Sequence, residues 1–389
     1  MLFDAMASGQ TALDVTAPIA VRGPIRARFL DLSVTDKEER ALILDAVTSL
    51  LDHGRLVMGP EVEEFERRIA RYCGRSHGIG VGTGTDALIL AVKSLGIGPG
   101  DEVITTPLSW LATGSAILLN GATPVFCDID ETLNIDPDTV EQHITARTKA
   151  ILPVHFTGRL ARMPEILEIA GRHDLRVIED CAQAFGATFD NRPSGSFGDI
   201  ACMSFNAMKI LGGLGDGGIV LTDDDRVAVR LRTLRHSGVP EREYCEELSH
   251  NCRLDTIQAA VLLRRLPRQP AIVARRRELA RRYDQELAGT VQTPPHVRGY
   301  ADVFYTYTIR TRHREELRLH LADCGIETRI QHPILMNDQP AFQDKVRGHS
   351  PVADRLVRDI LCIPCHEKLS DEAQSHVISA IRDFFGARS

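Results

Sequence analysis

Lys209 stands between an apolar run, IACMSF at 200–205, and GGLGDGG at 212–218, where five of seven residues are glycine. Glycine reaches φ > 0 and lets backbone approach other groups closely, so the lysine lies at the mouth of a segment that no ordinary helix or strand would contain. A free lysine amine titrates near ~10.4 and is deprotonated to only about 0.04% at pH 7; a nucleophilic one needs burial or a nearby cation. Two other stretches carry candidate chemistry. LRVIEDCAQAFGA puts Glu179, Asp180 and Gln183 at the end of an apolar run, although a lone aspartate there is more often a helix cap. GVGTGTDALILAV puts Gly82, Thr83, Gly84 and Thr85 before a helical pattern, whose free N–H groups and positive end suit a phosphate. Trp110, the single tryptophan, follows ITTPLS and can lie flat on a planar ring or serve as a core aromatic. A phosphate cradle, a carboxylate and an amine together suit pyridoxal 5′-phosphate, which needs a Schiff-base lysine, an acid beside the pyridine nitrogen and a phosphate cup. Gly82 to Ala87 also fits G-x-G-x-x-A, but Asp101 and Glu102 precede the next strand where a dinucleotide site needs a carboxylate after it.

The surrounding pattern supplies strand ends to hold these groups. Short apolar runs (GIGVG, EVITT, TPVFCDI, KAILPV, LRVIED) alternate with helical patterns at 85–95, 110–120, 137–144 and 163–173, which predicts an α/β fold with a largely parallel sheet covered on both faces. Such sheets place ligands at the carboxyl ends of their strands. IACMSF and GGIVLT read as strands with no helix between them. Helices follow at 224–235 and 254–288, the latter interrupted by Pro267 and Pro270. Thr35 and Glu38 read as a capping box for a helix facing inward through Leu42, Leu44, Val47, Leu50 and Leu51, and Gly59-Pro60 opens another. Residues 1–27 show no periodicity and read as an arm, 28–270 as a large cofactor-binding domain, and 271–389 as a smaller C-terminal α/β domain with a strand in VFYTYTIR and helices at 313–323 and 372–385.

The 389 residues carry 46 basic and 53 acidic side chains, a net charge of −7 without a basic run, which disfavours nucleic acid or an anionic membrane as partner. No window of about 18 apolar residues and no basic leader are present, so a cytoplasmic protein is expected. The nine cysteines are irregularly spaced, as in reduced buried thiols. Cys362-Ile363-Pro364-Cys365-His366 matches a haem-attachment pattern, yet it reads better as an apolar strand running into a proline turn. No second paired-ligand motif supports a metal.

Seven segments in order, GPEVEEFE, GTDALILAVKSLGIGPGDEVI, GATPVFCDID, TKAILPVH, IEDCAQAFGA, SFNAMKILGGLGDGGIVLTDD and NCRLDTIQAAVLL, resemble the DegT/DnrJ/StrS sugar aminotransferases. The resemblance runs from about residue 28 to the end. It implies fold type I architecture, with a mostly parallel seven-stranded sheet and a smaller C-terminal domain. It further implies Lys209 as the Schiff-base lysine, Asp180 beside the pyridine nitrogen, Gln183 at the ring hydroxyl, Trp110 stacked on the ring, and Gly84, Thr85 and Ser204 at the phosphate. Asn251 matches an asparagine that reaches a neighbouring subunit's phosphate, which implies a homodimer with shared active sites. The implied reaction moves an amino group from glutamate or glutamine to a keto-sugar, expected to be nucleotide-linked; a cyclitol ketone acceptor and a non-catalytic sensor are the alternatives. The chain departs from the family pattern at Thr83 (often Asn), Phe185 (often His), His250 (often Gly) and in the run His332-Pro333-Ile334-Leu335-Met336-Asn337, where a Tyr-Pro and Pro-x-His are usual. These departures are expected to bear on the acceptor rather than on the cofactor.

Overall fold

A computed structural model describes residues 19–21, 23–240 and 244–387. Most of the arm expected at 1–27 lies outside the described residues. Its last residue does not dangle: Ala27 is buried and bridges Ile326.

The chain opens with α1 (Lys37–His53) and α2 (Pro60–Tyr72), then β1 (His77–Val81), α3 (Gly84–Ser94), β2 (Glu102–Thr105), α4 (Ala112–Leu119), β3 (Thr123–Phe126), β4 (Thr148–Leu152), α5 (Met163–Arg172) and β5 (Arg176–Asp180). After two short strands, β6 (Thr188–Phe189) and β7 (Arg192–Pro193), come β8 (Ile200–Ser204), β9 (Gly218–Thr222), α6 (Asp225–Leu234), α7 (Thr256–Arg265) and α8 (Gln269–Glu286). Seven of the strands form one sheet in the order β1-β9-β8-β5-β4-β2-β3, in which β9 alone runs against the rest. Helices cover both faces, which is why β2 and β9 are buried along their whole length. Among the described residues no helix is long and apolar enough to cross a membrane.

Three details differ from the sequence reading. The cap of α1 is Asp36, whose carboxylate accepts the Glu39 amide at 2.6 Å, because a charged acceptor one residue on from Thr35 satisfies the free N–H better. Its buried residues are Ile43, Ala46 and Leu50, the first two packed on Ala260 and Val261 of α7, while Leu44 and Leu51 are exposed. The helix expected at 137–144 is two single 3-10 turns, Pro137–Thr139 and Glu141–His143. There the Thr139 hydroxyl donates to the Asp136 carbonyl at 2.9 Å, and the stretch is too short to offset helix nucleation. Pro267 does break the long helical segment, into α7, a 3-10 turn and α8, but Pro270 sits in the first turn of α8, where its missing N–H is harmless.

Beyond α8, β10 (Tyr300–Ala301) extends the small β6–β7 sheet, while β11 (Tyr307–Arg310) pairs antiparallel with β12 (Ile360–Ile363). That pair, α9 (Arg314–Asp323) and the closing helix α11, which follows the short α10 (Pro351–Leu356) and spans Asp371–Gly386, enclose a second core containing Tyr283, Tyr307, Leu317 and Ile381. The strand of VFYTYTIR is thus confined to its last four residues. Cys362 and Cys365 are free and buried, and burial raises both thiols, Cys365 to about 12. Thiols kept protonated by burial behave as small apolar side chains, which fits a strand leading into the Pro364 turn.

Candidate active site

The carboxyl ends of β1, β5 and β8 and the chain after β2 open onto one cavity of about 620 Å³. Gly84, Thr85, Trp110, Asp180, Gln183, Ser204 and Lys209 all line it, although they come from five separate stretches of sequence. Asn251 does not. It is exposed, bridges His236, and lies outside the cavity of its own chain.

Thr83 caps α3 by accepting the Asp86 amide at 2.9 Å, so the helix starts at the cavity wall with first-turn N–H groups that have no partner within the helix. Gly84 is required there for space: a Cβ would stand 2.7 Å from the Ser204 Cβ at the end of β8. This cradle of amides and a hydroxyl fits a phosphate. The glycines after Lys209 serve a different end from the one their sequence suggests. They let the chain pack on protein, not on a ligand: a Cβ at Gly212 would meet the Ala207 carbonyl at 2.6 Å, and one at Gly218 would overlap the Thr83 carbonyl. The loop is closed by hydrogen bonds from Phe205 N to Gly217 O and from Ala207 N to Gly215 O, both 2.8 Å. Lys209 is held half-buried, with Nζ 4.6 Å from the centre of the Tyr305 ring.

Successive side chains of β5 face opposite ways, and this separates two carboxylates that adjoin in sequence. Glu179 points into protein and is saturated by the amides of Gly195, Phe197 and Gly198 and by His155 at 3.0 Å. Burial works to raise it, but His155 and those amides prevail and hold it below the usual range. Asp180 points into the cavity. Its Oδ1 accepts the Ala182 amide at 3.1 Å and its Oδ2 the Thr113 hydroxyl at 2.9 Å, yet burial pushes its carboxyl up against these bonds and the charge of Lys209. A buried carboxylate left short of positive charge fits a protonated ring nitrogen. Gln183 spends its Oε1 on the Thr157 amide at 2.9 Å, which leaves its –NH2 to donate. Trp110 is 60% exposed at the cavity mouth, with a face free to stack.

Sequence reasoning missed Thr113 and Tyr305, and named His332 only as the start of the run 332–337 expected to bear on the acceptor. Thr113 carried a signal, since it lies one helical turn beyond Trp110; its hydroxyl also bonds Ser109 at 2.9 Å. Tyr305 and His332 arrive from the C-terminal part of the chain, where no local pattern connects them to Lys209.

A family model described as the DegT/DnrJ/EryC1/StrS aminotransferase family matches residues 37–382. The chain is 40% identical over 364 residues to a dTDP-3-amino-3,4,6-trideoxy-alpha-D-glucose transaminase of Streptomyces venezuelae, covering 92% of this chain and 96% of that one. It is 39% identical over 360 residues to a UDP-N-acetyl-3-dehydro-alpha-D-glucosamine 3-aminotransferase of Acidithiobacillus ferrooxidans, covering 92% and 96%. The crystal structure of NtdA from Bacillus subtilis with bound cofactor PMP superposes with a TM-score of 0.87 at 30% identity, covering 96% of this chain and 88% of that one. A match of this extent, around a cavity fitted for the same group, settles the class of the protein: the chain belongs to the DegT/DnrJ/EryC1/StrS family and is a pyridoxal-phosphate-dependent aminotransferase.

Proposed function

We propose that the protein transfers nitrogen from glutamate or glutamine to a nucleotide-linked keto-sugar in the cavity around Lys209. The observation that carries this reading is the convergence of Lys209, the buried Asp180 carboxylate and the start of α3 on a single cavity. Bound pyridoxal 5′-phosphate supplies a conjugated ring that accepts the electron pair released when the donor loses its Cα proton. The chain does the rest. The first amides of α3 and the Ser204 hydroxyl grip the phosphate, Asp180 keeps the ring nitrogen protonated, Gln183 donates to the ring hydroxyl, and Trp110 covers the ring. Lys209 Nζ removes the proton at the donor Cα in the first half-reaction and returns one to the carbon that gains nitrogen in the second. Between these steps the Tyr305 ring offers the ammonium a resting place.

The acceptor's charge is supported by Arg329. Of the cavity's guanidiniums, Arg276 is paired with Glu367 at 2.9 Å, whereas Arg329 lies over the Phe29 ring with no carboxylate partner among the described residues. A cation left open at a cavity wall suits a diphosphate, which a free cyclitol lacks.

The purified protein is expected to absorb at about 410–430 nm and to shift toward about 330 nm when glutamate is added, the behaviour of this cofactor class. Lys209→Ala should retain cofactor through the phosphate cradle but lose covalent fixation by borohydride. Fixation persisting in that variant would remove Lys209 from its role. Turnover of scyllo-inosose in preference to nucleotide-linked keto-sugars would replace the acceptor assignment.

A further inference from the structure

Three positions and one run depart from the family pattern, and the structure separates them. Phe185 is buried in the core, stacked on Tyr72 at 4.9 Å, and His250 is exposed and bonded to Asp86 at 2.9 Å. Thr83 caps α3. His332, by contrast, lines the cavity between Trp110 and Phe156, with ring centres at 5.7 and 5.8 Å. Its backbone has φ of 59°, a left-handed conformation that a non-glycine residue adopts only against strain, and Pro333 after it restricts the alternatives. The ring is partly buried, and its enclosed Nε2 has no hydrogen-bond partner among the described residues.

A strained backbone that holds an enclosed, unsatisfied nitrogen in a binding cavity is explained if a ligand completes it. The chemistry of the ring narrows that ligand. Burial and the charge of Lys209 push the imidazole down to about 4, so at neutral pH it carries one donor and one acceptor and no charge. Nε2 is the donor in one tautomer and the acceptor in the other, and a hydroxyl, which can give or receive a hydrogen bond, pairs with it in either case. An uncharged ring offers a carboxylate or a phosphate no countercharge, for which Arg329 is better suited. Because Lys209 must reach the reacting carbon, and His332 lines the same cavity against Trp110, the hydroxyl in question belongs close to that carbon. We propose that His332 is a specificity-determining residue that hydrogen-bonds the acceptor's hydroxyl on the ring carbon beside its carbonyl. This rests on the keto-sugar reading and adds to it a preference for α-hydroxy ketones over their deoxy counterparts.

The test uses the holoenzyme and the cofactor's absorbance to follow the two half-reactions separately. Matched probes are dTDP-linked 3-keto- and 4-keto-6-deoxyhexoses, each with and without the hydroxyl beside the carbonyl. The unsubstituted enzyme should favour the hydroxylated member of its preferred pair by about 10–100-fold in kcat/KM, the span that one unpaired buried polar group commands. In His332→Phe that preference should collapse to within a few-fold, with acceptor kcat/KM falling by about 10–100-fold relative to the glutamate half-reaction of the same variant. His332→Gln, which keeps a donor and an acceptor, should recover part of both. It also carries the test if the phenylalanine variant does not fold around the cofactor. Equal turnover of hydroxylated and deoxy probes by the unsubstituted enzyme, or full discrimination in His332→Phe, overturns the inference and leaves the sugar reading standing. Turnover of glutamate with none of the keto-sugars overturns the sugar reading and the inference with it.

Discussion

A carboxyl whose folded-state pKa is raised, as burial raises Asp180, favours the folded state below its unfolded pKa of about 3.9 and loses that contribution as pH climbs through the folded value. Above that folded value the ionised Asp180 weighs against the cofactor-free protein, and a protonated ring nitrogen relieves it. Asp180→Asn should melt no lower than the parent without cofactor, gain less in Tm when pyridoxal 5′-phosphate is added, and lose about 10²–10³-fold in half-reaction rate, the usual cost of removing one aimed electrostatic contact. Scanning calorimetry with and without cofactor, and stopped-flow absorbance, read the three effects. A cofactor-free variant that melts well below the parent would assign Asp180 a structural role instead. Its neighbour Glu179 shows why residue type alone is a poor guide. The same side-chain chemistry one position earlier on β5 faces the opposite way and is consumed by backbone amides.

At the scale of elements, the site depends on how closely α3, β8 and the lysine loop approach one another, and glycine sets that approach. Gly84→Ala would bring a methyl 2.7 Å from the Ser204 Cβ, forcing the helix start away from the strand end. The expected outcome is a stability loss of about 1–3 kcal/mol and a cofactor Kd raised about tenfold or more, measured by thermal unfolding and by absorbance titration. Unchanged affinity would mean that the amides of α3 do not hold the phosphate. Elements whose apolar spacing was long and regular, such as α3, α5, β4 and β5, were legible in the sequence within a residue or two. The stretch 137–144 was not, because side-chain bonds around Asp136 and Thr139 compete with a helix too short to propagate. Lys209, Asp180 and Gln183 were legible through their motifs, whereas Tyr305 and His332 reach the cavity only through tertiary folding. The glycine tract was seen but misjudged, since sequence shows that backbone comes close to something without showing to what.

For the whole molecule, Asn251 poses the geometric question. It lies outside its own cavity, on a face where Met58, His236 and Arg253 line a shallow groove beside exposed Leu56 and Val57. An apolar rim next to a polar group with no site of its own supports a second copy of the chain as the occupant, with Asn251 completing the partner's phosphate cradle. The expectation is checked by mixing two defective chains. Lys209→Ala and Asn251→Ala, each impaired alone, should form heterodimers in which one of the two sites has both residues intact. Activity should appear on co-expression, and sedimentation should give twice the chain mass. If the mixture is no better than its parts, Asn251 acts within its own chain or not at all.

The seat of Gly218 against Thr83 has a bearing on how the enzyme is loaded. It ties the strand that follows the lysine loop to the residue that caps α3, so the amine and the phosphate grip are set relative to each other by covalent geometry and packing before anything enters. Capture of the vitamin is then a docking event and not a folding event, and little conformational entropy is lost at that moment.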